Sequence, residues 1–216
     1  MPLKIRVDDF PYTKLHEWQP SRHSEVRFAE FDSIIPVRYL LGIIPMNSFN
    51  VDAWPPTGKV VPGMHGYWHL ESRQNEFEGI SLNDVVGYLQ AGREMIGEKF
   101  GTVPDVYMPP HNAVDVNTII ACQRVGFKAV TGGPGVHPAM PFVVESYGGM
   151  RYIGSDPPIL YGRSDEIMQV LDVLKDPPYL NGVLTLHWTW ESNIGFDHLR
   201  RFIDRIGRHL EDFDAS

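Results

Sequence analysis

The chemistry in this sequence centres on Met64-His65-Gly66-Tyr67-Trp68-His69, where two histidines stand four apart at the end of an apolar run. If the residues after Val60-Val61 bend into a helical turn, positions i and i+4 share a face and both imidazoles reach one metal ion. With nine histidines in the chain such a pair is a weak signal by itself. Its weight comes from two other places. An acidic pair, Asp8-Asp9, closes a strand-like run at residues 3–7, and His187 closes the apolar run Gly182-Val183-Leu184-Thr185-Leu186. Three such runs therefore end in side chains that ligate a metal or move a proton. Sites at the carboxyl ends of parallel strands are assembled in this way.

The elements that must position these residues follow from periodicity and turn chemistry. Residues 12–23 read as loop, 24–35 as a helix ending before Pro36, and 38–44 as a strand closed by Pro45. Residues 47–58, with Trp54-Pro55-Pro56, form a loop, and 71–79 a polar surface loop over the site. Ser81-Leu82-Asn83-Asp84 resembles a capping box and opens a helix that runs to Phe100 and is stopped by Gly101. A short strand at Val106–Met108, a helix at 115–125 closed by Gly126, and a strand at 127–130 come next. Glycines and prolines mark 131–141 as loop, and 142–162 shows no readable period. A helix at 164–174, the strand ending at His187 and an amphipathic helix capped by Asp197 complete the chain. Strand and helix alternate almost throughout, which predicts one α/β domain over residues 1–216 built on a parallel sheet.

Composition narrows the partners. A net charge of −8 argues against a surface made for nucleic acid or anionic lipid. The single Cys122, in a helix interior, excludes an internal disulfide and reads as a buried inert thiol in a reducing compartment. No signal peptide precedes the first strand, and no apolar segment approaches the roughly 20 residues that span a bilayer. A soluble cytoplasmic protein is expected.

Taken together, these motifs resemble the polysaccharide deacetylase family, the NodB-homology or carbohydrate esterase 4 group, and look closest to a divergent branch with an H-G-x-x-H pair. The resemblance runs from residue 5 to about residue 190. It implies a distorted (β/α) barrel of about seven parallel strands. Asp8 is then the catalytic base, Asp9, His65 and His69 are the metal ligands, and His187 is the catalytic acid. Two departures stand out. Met108 occupies the place of an arginine that orients the base, and the fourth motif, an Asp followed by Trp, has only Asp156 as a counterpart.

Two imidazoles and one carboxylate leave coordination positions open for water and substrate. Zinc is the expected ion, with cobalt, nickel or iron also compatible. The N–H of His111, after Pro109-Pro110, is a candidate oxyanion donor, and Trp188 and Trp190 offer aromatic faces for a sugar ring. The bland alternatives are an acidic turn, a surface histidine pair, a core histidine and ordinary tryptophan packing. His16, His23, His137, His198 and His209 read as surface histidines. The expected activity is removal of an N-acyl group, acetyl above all, from an amino sugar or small glycoconjugate precursor. An amidase on a small non-sugar amide and a silent carbohydrate-binding protein on the same barrel are the alternatives.

Overall fold

The computed structural model describes residues 3–11, 22–48, 58–70, 72–133, 139–154, 161–173 and 182–214. Its centre is a seven-stranded, wholly parallel sheet. The strands are β1 (Leu3–Phe10), β2 (Tyr39–Ile43), β3 (Val60–His65), β4 (Val106–Met108), β5 (Ala129–Thr131), β6 (Arg151–Ile153) and β7 (Gly182–His187). They are arranged in the order β6-β5-β4-β3-β2-β1-β7 and curl into a half-barrel surrounded by helices, a distorted (β/α) barrel.

Period-two alternation sorts the side chains onto two faces. Leu3, Ile5 and Val7 of β1 join Leu41, Ile43, Met64, Tyr107, Val130, Leu184 and Leu186 in one buried cluster with the helices. The opposite parity faces the concave interior, where Leu40, Val61, Val106, Met108 and Ala129 meet Phe213. Arg6, Asp8, His65 and His187 share this inward parity, so the strands that fill the barrel also end in the chemistry.

The base of the barrel is closed by residues 210–214. Leu210 bridges Leu3, the Glu211 N–H donates to the Leu3 carbonyl, and the Phe213 N–H donates to the Arg38 carbonyl. Asp212 accepts from the Arg38 N–H at 2.7 Å, and Arg151 of β6 donates to the Asp214 carbonyl at 3.1 Å. The same segment thus touches β1, the approach to β2 and the far edge strand. Burying the Phe213 ring contributes roughly 1.5–3 kcal/mol.

The helices are α1 (Arg22–Ile34), α2 (Pro45–Ser48), α3 (Leu82–Phe100), α4 (Val116–Val125), α5 (Met140–Val143), α6 (Ser164–Val173), α7 (Trp188–Ile194) and α8 (Asp197–Ile206). Ser81 accepts from the Asp84 N–H and returns a hydroxyl bond to its carboxylate at 2.7 Å, so this cap closes through the two side chains. Gly101 ends α3 at φ 68°, a left-handed position that glycine takes without strain. Asp115 caps α4 through the Thr118 N–H at 2.8 Å.

Four expectations are corrected. Asp197 does not cap α8: it is the helix's first residue, and Phe196 at the cap makes no side-chain bond. α5 begins inside the segment predicted as loop at 131–141 and runs into the unreadable stretch, which also contains a π-turn at Val144–Gly148 and β6, all too short to impose a period. Residues 71–79 are not only surface, because Glu76 and Phe77 are buried. Unexpected α7 follows β7 with no intervening residue. The loops predicted at 12–23 and 47–58 fall largely outside the described residues, as do His16, His137, Asp156 and the side chain of His23. Among the described residues no helix is long and apolar enough to cross a membrane.

Candidate active site

The histidine pair is positioned by a strand end and a loop, not by a helical turn. His65 is the last residue of β3, whereas His69 follows a loop that turns at Gly66 with φ 66°. His69 itself has φ 54°, in the left-handed region that a residue with a Cβ rarely adopts. The clamp that holds it there is Glu76, whose carboxylate accepts from the N–H groups of Tyr67, Trp68 and His69. A side chain at position 66 would overlap the Glu76 carboxylate and the buried Pro110 ring, so the glycine is required by space as well as by φ. Burial pushes the Glu76 carboxyl up, against the pull of the three N–H groups.

The candidate ligand atoms converge. His65 Nε2 lies 3.1 Å and His69 Nε2 3.2 Å from Asp9 Oδ1, and Asp9, His65 and His69 offer ligand atoms all within 4.8 Å of one another. Asp9 also stands at positive φ, 66°, and its Oδ2 accepts from the Thr189 hydroxyl at 3.3 Å. The other ring nitrogen of His65 lies 2.9 Å from the Met108 carbonyl. A carbonyl only accepts, so neutral His65 carries its proton on Nδ1 and turns the Nε2 lone pair towards the carboxylate. Two acceptors face each other at that point, an arrangement relieved by a cation between them. Ligands each ~2.1 Å from one ion, in tetrahedral or octahedral array, lie ~3.0–3.4 Å apart. The residues present fit a divalent metal.

Beside this triad, Asp8 is held by Arg6, two residues back on the same face of β1. Nε donates to Oδ1 and Nη2 to Oδ2, both at 2.6 Å, with both side chains buried. Burial alone would push Asp8 up, but the Arg6 guanidinium, with His65 and His187, holds it below the usual carboxylate range. For Asp9, burial likewise pushes the carboxyl up, and the His65 and His69 rings beside it hold it well below the usual range. Met108 cannot act on Asp8. Its side chain is packed into the barrel interior against Gly42 and Gly63, and the arginine that the sequence lacks at 108 is supplied from β1.

His187 is the register partner of Asp8 across the β1–β7 pair. Its ring stacks on Trp190 at 3.9 Å between centroids and 24° between planes, and its Nε2 lies 3.0 Å from the Tyr161 hydroxyl. Burial holds its pKa below the ordinary histidine value, against the opposing pull of Asp8 and Asp9. Trp188 takes no part in the cleft. It is 1% exposed and packs among Phe10, Phe28, Phe31 and Phe196. The first turn of α7 separates two residues that a continued strand would have placed on one side.

His111 is exposed, with its ring 5.0 Å from that of His69, and it and Asn112 both adopt positive φ, 54° and 55°. The N–H groups of Asn112 and Ala113 go to the Pro109 and Pro110 carbonyls. Among the described residues the His111 N–H has no backbone acceptor. His198 and His209 lie away from this cluster, beside Arg201 and Arg208. Sequence reasoning missed Arg6, Glu76, Asn112, Tyr161 and Thr189. Only Arg6 carried a signal, its i−2 spacing from Asp8 on a strand.

No family profile matches the sequence, and no curated protein matches it either. Among solved structures, a family 4 carbohydrate esterase from Streptomyces lividans, solved with acetate, superposes with a TM-score of 0.59 at 12% identity, over 100% of this chain and 93% of that one. A peptidoglycan N-acetylglucosamine deacetylase matches with a TM-score of 0.59 at 12% identity, over 97% and 84%. A CE4 family pseudoenzyme from Bacillus anthracis matches with a TM-score of 0.57 at 11% identity, over 98% of this chain and 63% of that one. The fold is that of the NodB-like polysaccharide deacetylases.

Proposed function

We propose that this chain is a metal-dependent hydrolase that removes an N-acyl group, in the first instance acetyl, from an amino sugar or glycoconjugate precursor. The observation that carries the reading is the convergence of Asp9, His65 and His69 within 4.8 Å, next to a buried Asp8 whose register partner is His187. The fold alone does not carry it, because one structural neighbour is a pseudoenzyme.

Asp9, His65 and His69 would hold the ion, with zinc the default for two imidazoles and a carboxylate and cobalt, nickel or iron the alternatives. A bound divalent ion supplies Lewis acidity to the acyl carbonyl and a lowered pKa to water. Asp8, kept ionised by Arg6, takes the proton of the water that attacks the acyl carbon. The His111 N–H, on a turn fixed by two prolines, donates to the developing oxyanion. As the carbon–nitrogen bond breaks, His187 delivers a proton to the departing amine, which is otherwise too basic to leave. Trp190, stacked on His187, presents its ring to the same side and suits the apolar C–H face of a sugar.

The test is metal analysis of wild type beside His65→Ala/His69→Ala, followed by a screen of N-acetylated amino sugars and their oligomers. The reading expects about one transition metal per chain, lost in the double variant. It also expects acetate release that Asp8→Asn abolishes while the metal stays bound. Absence of metal in wild type even after zinc is added overturns it, and so does full activity in Asp8→Asn.

A further inference from the structure

We propose that Arg6, Asn112 and Tyr161 form a directional hydrogen-bond chain joining Asp8 to His187, in which Tyr161 positions His187 and fixes its tautomer. The inference rests on the hydrolase reading for the roles of the two ends. The chain between them stands on geometry alone.

Its direction follows from what each group can do. Arg6 has only donors. Two go to the Asp8 oxygens, Nη1 goes to the Gly132 carbonyl at 2.9 Å, and Nη2 also reaches Asn112 Oδ1 at 3.2 Å. That contact settles the Asn112 amide: its oxygen faces Arg6, which leaves its NH2 to donate elsewhere. The Asn112 side chain meets the Tyr161 hydroxyl, so Tyr161 accepts there and its own proton is free for His187 Nε2, 3.0 Å away. Burial, with Asp8 close by, pushes the Tyr161 phenol up to about 12, so it remains a donor throughout the working range. Accepting at Nε2 assigns the proton of resting, neutral His187 to Nδ1.

The surroundings hold this train rigid. Asn112 is kept in the left-handed region, and a Cβ at Gly133 would fall within 2.7 Å of its side-chain atoms, so the loop after β5 is pressed against it. Tyr161 bridges Thr185 as a parallel neighbour of β7, with the Gly162 N–H donating to the Thr185 carbonyl at 3.3 Å. On the other face of His187, the Trp190 ring prevents the imidazole from tilting away. Base and acid are thereby tied through three uncharged or permanently charged side chains, none of which changes protonation during turnover.

The experiment uses the zinc-loaded full chain. Nitrogen–proton correlation spectra of the histidine rings, with His187→Gln identifying the His187 signals, are expected to show Nε2 unprotonated and Nδ1 protonated in wild type. Tyr161→Phe is expected to give a mixture of tautomers and at least a 10-fold lower kcat, with KM within ~3-fold and zinc content unchanged. Asn112→Gly, which tolerates the left-handed backbone, is expected to lower kcat in the same way. The Asn112→Gly/Tyr161→Phe double variant should lie within ~3-fold of the worse single, because the two residues act in one chain. A wild-type proton on Nε2, an unchanged tautomer and kcat in Tyr161→Phe, or multiplicative losses in the double variant overturns the proposal. If wild type turns over no N-acetylated substrate, the hydrolase reading falls and the ring-nitrogen spectra alone decide the chain.

Discussion

Glu76 offers the most informative single perturbation, because its carboxylate acts on the histidine loop without itself being a ligand. Glu76→Ala leaves the N–H groups of Tyr67, Trp68 and His69 without their acceptor. A buried donor left unpaired costs ~1–3 kcal/mol. The His69 N–H is buried and bears that in full, whereas Tyr67 and Trp68 are half-buried and regain water in part. The expected total is ~2–5 kcal/mol. Glu76→Gln keeps one oxygen in place and removes a charge whose burial already works against the three N–H bonds, as the raised pKa shows. Its expected loss is ~1 kcal/mol. Loss of the clamp also frees His69 from its left-handed position, and loosening a ligand's support typically lowers metal affinity 10–100-fold. Urea unfolding of the zinc-free chains measures the first effect, and competition with a chromophoric chelator measures the second. Glu76→Ala within 0.5 kcal/mol of wild type, at equal zinc affinity, would show that the loop holds itself and would refute the reasoning.

Further outcomes follow from the charges around the triad. Arg6→Met strands the buried Asp8 carboxylate and is expected to cost ~3–5 kcal/mol at neutral pH. Wild-type Asp8 has a depressed pKa, so its stabilisation is present above the ordinary aspartate value of 3.8 and is lost as pH falls through the folded value. In Arg6→Met burial raises the Asp8 pKa, so its penalty is present at neutral pH and is lost as pH falls through that raised value. The gap between the two proteins should be smaller at pH 4 than at pH 7, and unfolding curves with a constant gap would contradict this. His187 must carry a proton to act as acid, and its pKa lies below 6.5, so kcat/KM should fall as pH rises past an alkaline limb below that value. A rate profile flat to pH 9 would remove His187 from that role. Gly66→Ala combines positive φ with overlap against Glu76 and Pro110, and should lose both stability and zinc binding; a variant with unchanged melting temperature and zinc affinity would contradict it.

What the sequence revealed follows the lengths of the elements. α3, α4 and the β1 and β7 runs were legible because each is long enough to impose a period or carries an explicit cap or stop. β5 and β6, three residues each, are fixed by their neighbours in the sheet, which no local pattern can report. Of the five residues proposed for metal and proton transfer, Asp8, Asp9, His65 and His187 were legible because they lie at the ends of strands, and His69 only through its spacing from His65. Their supports come from elsewhere in the chain: Glu76 from a polar loop, Asn112 from a left-handed turn, and Tyr161 from the edge of an unreadable stretch. The helical turn expected for His65 and His69 failed because Gly66 and Glu76 shape that loop through space. Met108 suggested a missing guanidinium, yet strand alternation allowed Arg6 to fill the role.

The pairing of β1 with β7 also bears on how the molecule is made. The Thr189 hydroxyl reaches Asp9 across 180 residues of chain, and Asp8 meets His187 over a similar span. During synthesis β1 waits with one side unpaired until β7 has emerged, a template open to mispairing with another nascent chain. Closure of so long a loop comes late and slowly. Activity recovered on refolding should therefore lag behind helix formation, because Asp8 and His187 meet only when β7 docks on β1.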